Sequence, residues 1–232
     1  MIHYLRSMAL APILLAQGAW VRATIPVLPE PAGDREGEAG SGQRLALLIV
    51  GDSAAAGVGA SHQDEALLGQ TLSRLRPRFR VAWSLQARSG DKTQDALARL
   101  EALEPREYDV AITSLGVNDA IAMTTRRDWR QRQAQLRELL RDKFGVRTLI
   151  VSGLPPMHAF PALPQPLRWH LGCRATEFDE DLKADVAADG RAAYIDLRSD
   201  ADIRLAASDG FHPGPGVYSL WADRAATIIF GD

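Results

Sequence analysis

Five short apolar runs, separated by segments of helical period, constrain this chain more than any other feature. Leu45-Ala-Leu-Leu-Ile-Val50 is continuous and ends at Gly51. A run without polar alternation suits a strand buried on both faces. Strands are also predicted at 80–86, 108–115, 147–152 and 193–197. Between them lie helical stripes. Leu67, Leu68, Leu72 and Leu75 recur at three- and four-residue spacing, as do Ala96, Leu97, Leu100 and Leu103. Trp129, Leu136, Leu140 and Phe144 mark a longer helix over 126–144, and helices are predicted at 172–189 and 215–230. Strands alternating with helices make βαβ units. Right-handed crossovers then put helices on both faces of a parallel sheet of about five strands, a three-layer α/β/α fold. In such sheets ligands bind beyond the C-terminal strand ends.

The length of 232 residues suits one α/β domain. Residues 30–43 are rich in Gly, Pro and charge and read as an exposed linker. The chain therefore divides into an N-terminal apolar arm with linker, 1–43, and a folded domain, 44–232. A formal net charge of −2 gives no global field to recruit nucleic acid. The single cysteine, Cys173, excludes an internal disulfide and a CxxC zinc pair, and reads as a small packed residue. None of the five histidines has HxxxH or HExxH spacing, so no metal site is expected.

The segments after the strands carry the chemistry. They are Gly51-Asp52-Ser53 with Gly57 and Gly59, then Arg88-Ser89-Gly90-Asp91, Gly116-Val117-Asn118-Asp119, and Asp209-Gly210-Phe211-His212-Pro213. A parallel sheet brings all four to one crevice. Acyl transfer needs a serine whose proton a base can take, and His212 can take that of Ser53. Asp209 can fix the imidazole tautomer. An oxyanion needs preorganised donors, and the N–H groups of Ser53 and Gly90 with the Asn118 amide offer three. Each residue alone has a plainer reading. Ser53 fits a helix N-cap, Asn118 a turn, Asp209 a turn start, and Asp119 is read as structural. The combination favours catalysis. No Lys-Ser/Thr follows Gly57, so this is no phosphate loop, and Ala55 breaks the Gly-x-Ser-x-Gly elbow.

In the same four places the chain resembles the SGNH (GDSL-type) hydrolases. Gly51-Asp52-Ser53 with Gly57, then Gly90, Gly116-x-Asn118-Asp119 and Asp209-x-x-His212-Pro213 match that family's blocks in order, over about 45–230. The resemblance implies a flavodoxin-like fold, a Ser53–His212–Asp209 triad, and hydrolysis of carboxylic esters or thioesters without a cofactor. The expected function is a serine esterase acting on small or medium acyl esters. A lysophospholipase, a thioesterase and an acyltransferase on the same site are alternatives. A non-enzymatic binding module is disfavoured because Ser, His and Asn are all present.

Two further segments bear on substrate and location. The Pro-rich loop 154–170 should overhang the crevice, with Met157, Phe160, Leu163 and Trp169 as candidate acyl-site residues. The run 8–16, preceded by Arg6, is too short to span a bilayer and stays open to two readings, a poor signal peptide or a packed arm. Pro12 argues against a helix there. A cytoplasmic location is favoured over an exported or peripheral one. The segment 126–147 holds eight Lys or Arg against three Asp or Glu. It reads as a solvated helix face more readily than as a site for anionic lipid.

Overall fold

The computed structural model describes residues 9–199 and 202–231; Arg6 and Met8 of the N-terminal reading lie outside them. Six strands form one sheet: β1 (Glu36–Ala39), β2 (Gln43–Gly51), β3 (Phe79–Ala87), β4 (Val110–Ser114), β5 (Thr148–Ser152) and β6 (Ala192–Ile195). Their spatial order is β1-β3-β2-β4-β5-β6. The last five are parallel, and β1 is an antiparallel edge on β3. Among the parallel strands the first lies between the second and third, the flavodoxin-like order, with its switch point at β2/β4.

The continuous apolar run of β2 serves two layers. Leu45, Leu47 and Ile49 face α3 (Leu67–Leu75) and α8 (Pro215–Phe230). Ala46, Leu48 and Val50 face the layer of α4 (Thr93–Ala102), α6 (Arg126–Asp142) and α7 (Leu167–Asp189). Alternate side chains of a strand point to opposite faces, so a strand covered on both sides must be apolar throughout.

Several elements differ from the sequence expectation. The segment read as linker contributes β1, pairing Gly37 with Trp83. A Cβ on Gly37 would stand 2.5 Å from the Trp83 ring, so glycine admits the indole. This Glu-Gly-Glu-Ala strand has no apolar alternation because it is a charged sheet edge. Residues 11–24 form a helix, α1 (Ala11–Thr24), despite Pro12, which sits in its first turn where no backbone N–H is needed. Helix α7 starts at Leu167, earlier than expected, and Cys173 on it is half-buried rather than packed away. The basic face of α6 is paired with acids of α7: Arg126 with Asp181, Arg130 with Asp185, and Arg137 and Arg141 with Asp189. These cations bind two helices together and are not arrayed for an anionic surface.

Candidate active site

Register brings the loops together. Gly51, the last residue of β2, stands opposite Ala87 on one side and Ser114 on the other. The three strands end level, so the segments that follow them open onto one crevice at the switch point. The chain leaves β2 through a tight turn. A Cβ on Gly51 would lie 2.4 Å from both the Ala55 Cβ and the Ser114 carbonyl oxygen. Asp52 caps the short helix α2 (Ser53–Ala56) by accepting from the Ala54 N–H at 3.1 Å. Ser53 is thus the first residue of a helix turn, its side chain presented to the crevice.

His212 reaches Ser53 from 159 residues away. Pro213 lies so close to Gly59, which has φ +102°, that a Cβ there would stand 2.1 Å from the Pro213 carbonyl oxygen. Only glycine permits that approach. The Tyr218 hydroxyl donates to the Val58 carbonyl at 2.7 Å, pinning α8 to the same loop. The His212 Nε2 comes to 3.0 Å from the Ser53 Oγ, and its Nδ1 to 2.5 Å from Asp209 Oδ2. Asp209 Oδ1 accepts the N–H groups of Phe211 and His212, each at 3.0 Å. Burial works to raise the Asp209 carboxyl, but the His212 ring and these two backbone donors outweigh it and hold its pKa below the usual value. An ionised Asp209 accepts a hydrogen bond from the Nδ1–H, which fixes the tautomer and leaves the Nε2 lone pair facing the serine hydroxyl. Such a relay can take the proton of that hydroxyl as it attacks a carbonyl.

Besides the Ser53 N–H, the expected oxyanion donors are carried by the turn after β3 and by the short helix α5 (Val117–Ile121) after β4. Gly90 is exposed with φ +85°, and no atom lies within 4 Å of where its Cβ would be. Neither its N–H nor that of Ser53 donates to another backbone group among the described residues. The Asn118 amide nitrogen donates to the Asp91 carbonyl at 3.0 Å and faces Asp52 Oδ2 at 3.4 Å. One of its two protons is therefore fixed, and the other makes only a long contact. Asp119 takes no part in the crevice. Fully buried, it accepts from the N–H and hydroxyl of Thr93, both at 2.9 Å, and so anchors the start of α4. Asp52 was not singled out by its sequence context. Burial pushes its carboxyl up to about 7; the Ala54 N–H opposes this, and the nearby Asp119 and Asp91 add to it.

An open groove runs from Ser53 and His212 between the loop after β5 and helix α8. Its walls are mainly apolar and include Leu115, Leu154, Phe160, Phe211, Leu220 and Trp221. Of the four candidate acyl-site residues, only Phe160 lines it. Met157 and Leu163 are buried in the core that α6 and α7 share with the sheet, and Trp169 sits half-exposed on α7 away from the groove. The missed wall is legible in retrospect. Val217, Leu220, Trp221 and Arg224 recur at helical spacing on α8, directly after His212, and all four line the groove. The Phe211 ring meets Phe160 edge-on at 5.1 Å and His212 at 5.2 Å.

An α/β/α fold with a Ser–His–Asp relay and an open apolar groove at the switch point has the architecture of a hydrolase of the GDSL kind. The sequence profile of the GDSL-like lipase/acylhydrolase family matches residues 49–220, and the chain belongs to that family. A triad and an oxyanion hole are expected of its members. Among solved structures, a member of the lipolytic G-D-S-L family from Veillonella parvula is similar at 17% identity, with a TM-score of 0.64 over 80% of this chain and 98% of that one. An acetyl-xylooligosaccharide esterase from Geobacillus is 16% identical, with a TM-score of 0.62 over 83% and 96%. An aryl esterase from M. smegmatis is 17% identical, with a TM-score of 0.60 over 81% and 99%. At these identities the likeness establishes the fold. No curated protein gives a significant sequence match.

Proposed function

We propose that this protein is a serine esterase that hydrolyses carboxylic esters of small or medium acyl chains through an acyl-enzyme on Ser53. The observation that carries the reading is the continuous contact from Asp209 through His212 to Ser53, at 2.5 and 3.0 Å. In the proposed cycle His212 Nε2 takes the Ser53 proton as Oγ attacks the ester carbonyl. The developing oxyanion is received by the N–H groups of Ser53 and Gly90 and by the Asn118 amide. His212 then protonates the leaving alcohol, and water attacks the acyl-Ser53 by the same route. The cycle draws only on these side chains, the backbone and water. The catalytic unit is taken to include β1, because Glu36–Ala39 is part of the same sheet.

The mainly apolar groove supports an acyl or alkyl chain as the part of the substrate beside Ser53. Hydrolysis of p-nitrophenyl esters from acetate to palmitate tests the reading. Turnover that peaks at short or medium chains and is lost in Ser53→Ala is the expected result. Inertness toward every ester would overturn it.

A further inference from the structure

Helix α1 has no face suited to water. Its inner side is defined by contacts: Leu14 and Val21 pack against the core. The Gln17 amide donates to the Gln165 carbonyl at 2.7 Å and accepts from the Leu167 N–H at 3.0 Å. Helical spacing then turns Pro12, Ala16, Ala19 and Ala23 directly outward, flanked by Ile13 and Trp20 on one side and Leu15 on the other. Leu15 is 73% exposed, Trp20 56% and Ile13 49%. A surface helix normally carries charge on its outer face. Here the stretch 9–29 has one charged side chain, Arg22, and no Asp or Glu. Val27, just after the helix, extends the exposed apolar surface.

The loop to which Gln17 binds also walls the groove. Arg168 ties its own part of that loop together through the Leu163 and Pro161 carbonyls, and Pro161 and Phe160 line the groove. Leu220, on the opposite wall, is itself exposed.

Size argues against a second copy of the chain as the occupant. One face of this 14-residue helix, about 21 Å long and about 10 Å wide, offers on the order of 200 Å², against about 800 Å² per partner in a stable dimer. A lipid surface has no such threshold. An apolar helix lying in the plane of the interface sinks by about half its width, with tryptophan and arginine at headgroup level. The absence of acidic groups over 9–29 removes repulsion from an anionic leaflet.

We propose that α1 docks the protein on a lipid surface, with Ile13, Leu15 and Trp20 entering the headgroup–acyl boundary beside the loop that walls the groove. The inference goes beyond the esterase reading and does not depend on it. The test is co-sedimentation of the full chain with vesicles of phosphatidylcholine containing a quarter phosphatidylglycerol. Wild type and Ser53→Ala should sediment alike, whether or not either hydrolyses an ester. The double variant Leu15→Glu, Trp20→Glu should keep the wild-type thermal transition and lose at least about tenfold in partitioning. Wild-type protein left in the supernatant would overturn the proposal, and so would unchanged sedimentation of the double variant. Light scattering that finds a lipid-free dimer, dissociated by the same substitutions, would assign the face to a second copy instead.

Discussion

Replacing Asp52 with Asn should stabilise the protein at neutral pH while slowing it. Buried against the switch point, the Asp52 carboxyl is pushed from 3.8 up to about 7, first by loss of water and further by Asp119 and Asp91. Below about pH 4 the group is protonated in the folded and unfolded chain alike, and no penalty exists. As pH rises, the unfolded chain ionises first and the folded state loses about 1.4 kcal/mol per unit. The loss reaches about 4 kcal/mol near pH 7 and stays constant above it. Asn carries no such cost, and its amide oxygen can still cap Ala54. Urea unfolding from pH 4 to 8 should therefore show the stability difference, variant minus wild type, rising by up to about 4 kcal/mol and levelling above pH 7. The same substitution sets an NH2 opposite the Asn118 amide, where Oδ2 now stands at 3.4 Å. Two donors then face each other, Asn118 turns, and kcat falls. A stability difference that does not change with pH, or that shrinks as pH rises, would refute the reasoning.

Removal of the Ser53 hydroxyl should lower kcat by about three orders of magnitude or more with little change in the thermal transition, as steady-state kinetics would read. Asp209→Asn keeps the volume but disturbs the acceptor pair that holds the His212 ring, and should cost about 10⁴-fold in kcat. A Gly59→Ala side chain would meet the Pro213 carbonyl at 2.1 Å in a left-handed backbone position. It should destabilise by about 2–4 kcal/mol and lower kcat by displacing the His212 loop, measured by urea unfolding and kinetics together. Phe160→Ala removes both a groove wall and the edge contact to Phe211. It should flatten the preference among acyl lengths, and an unchanged length profile counts against Phe160 as a substrate contact.

What the sequence reveals here follows from which constraints are local. Strands β2, β4 and β5 are legible because burial on both faces forces apolar runs, and three of the four site segments because each directly follows a strand; the Asp209–His212 segment lies well beyond β6 and is legible only by its residue pattern. The charged edge β1 leaves no period to read, since only one neighbour, β3, holds it. Pro12 misleads because proline in a first turn and proline in a helix middle differ only by where the helix begins, and here the helix begins at Ala11. Met157 and Leu163 fail for another reason. An apolar side chain in a loop does not tell whether it points to the core or to a cavity, and these two point to the core while Phe160 between them lines the groove. The Asp52 environment is invisible for the same reason. Its neighbours Asp91 and Asp119 lie in the segments that follow β3 and β4 and become neighbours only through the sheet register.

The central proposal is that Ser53 carries the acyl group. Incubation with a fluorophosphonate, followed by peptide mass mapping, tests this most directly. The expected result is one adduct on Ser53, absent from Ser53→Ala and strongly slowed in His212→Ala. An unlabelled protein, or an adduct on another residue with Ser53 unmodified, would contradict it.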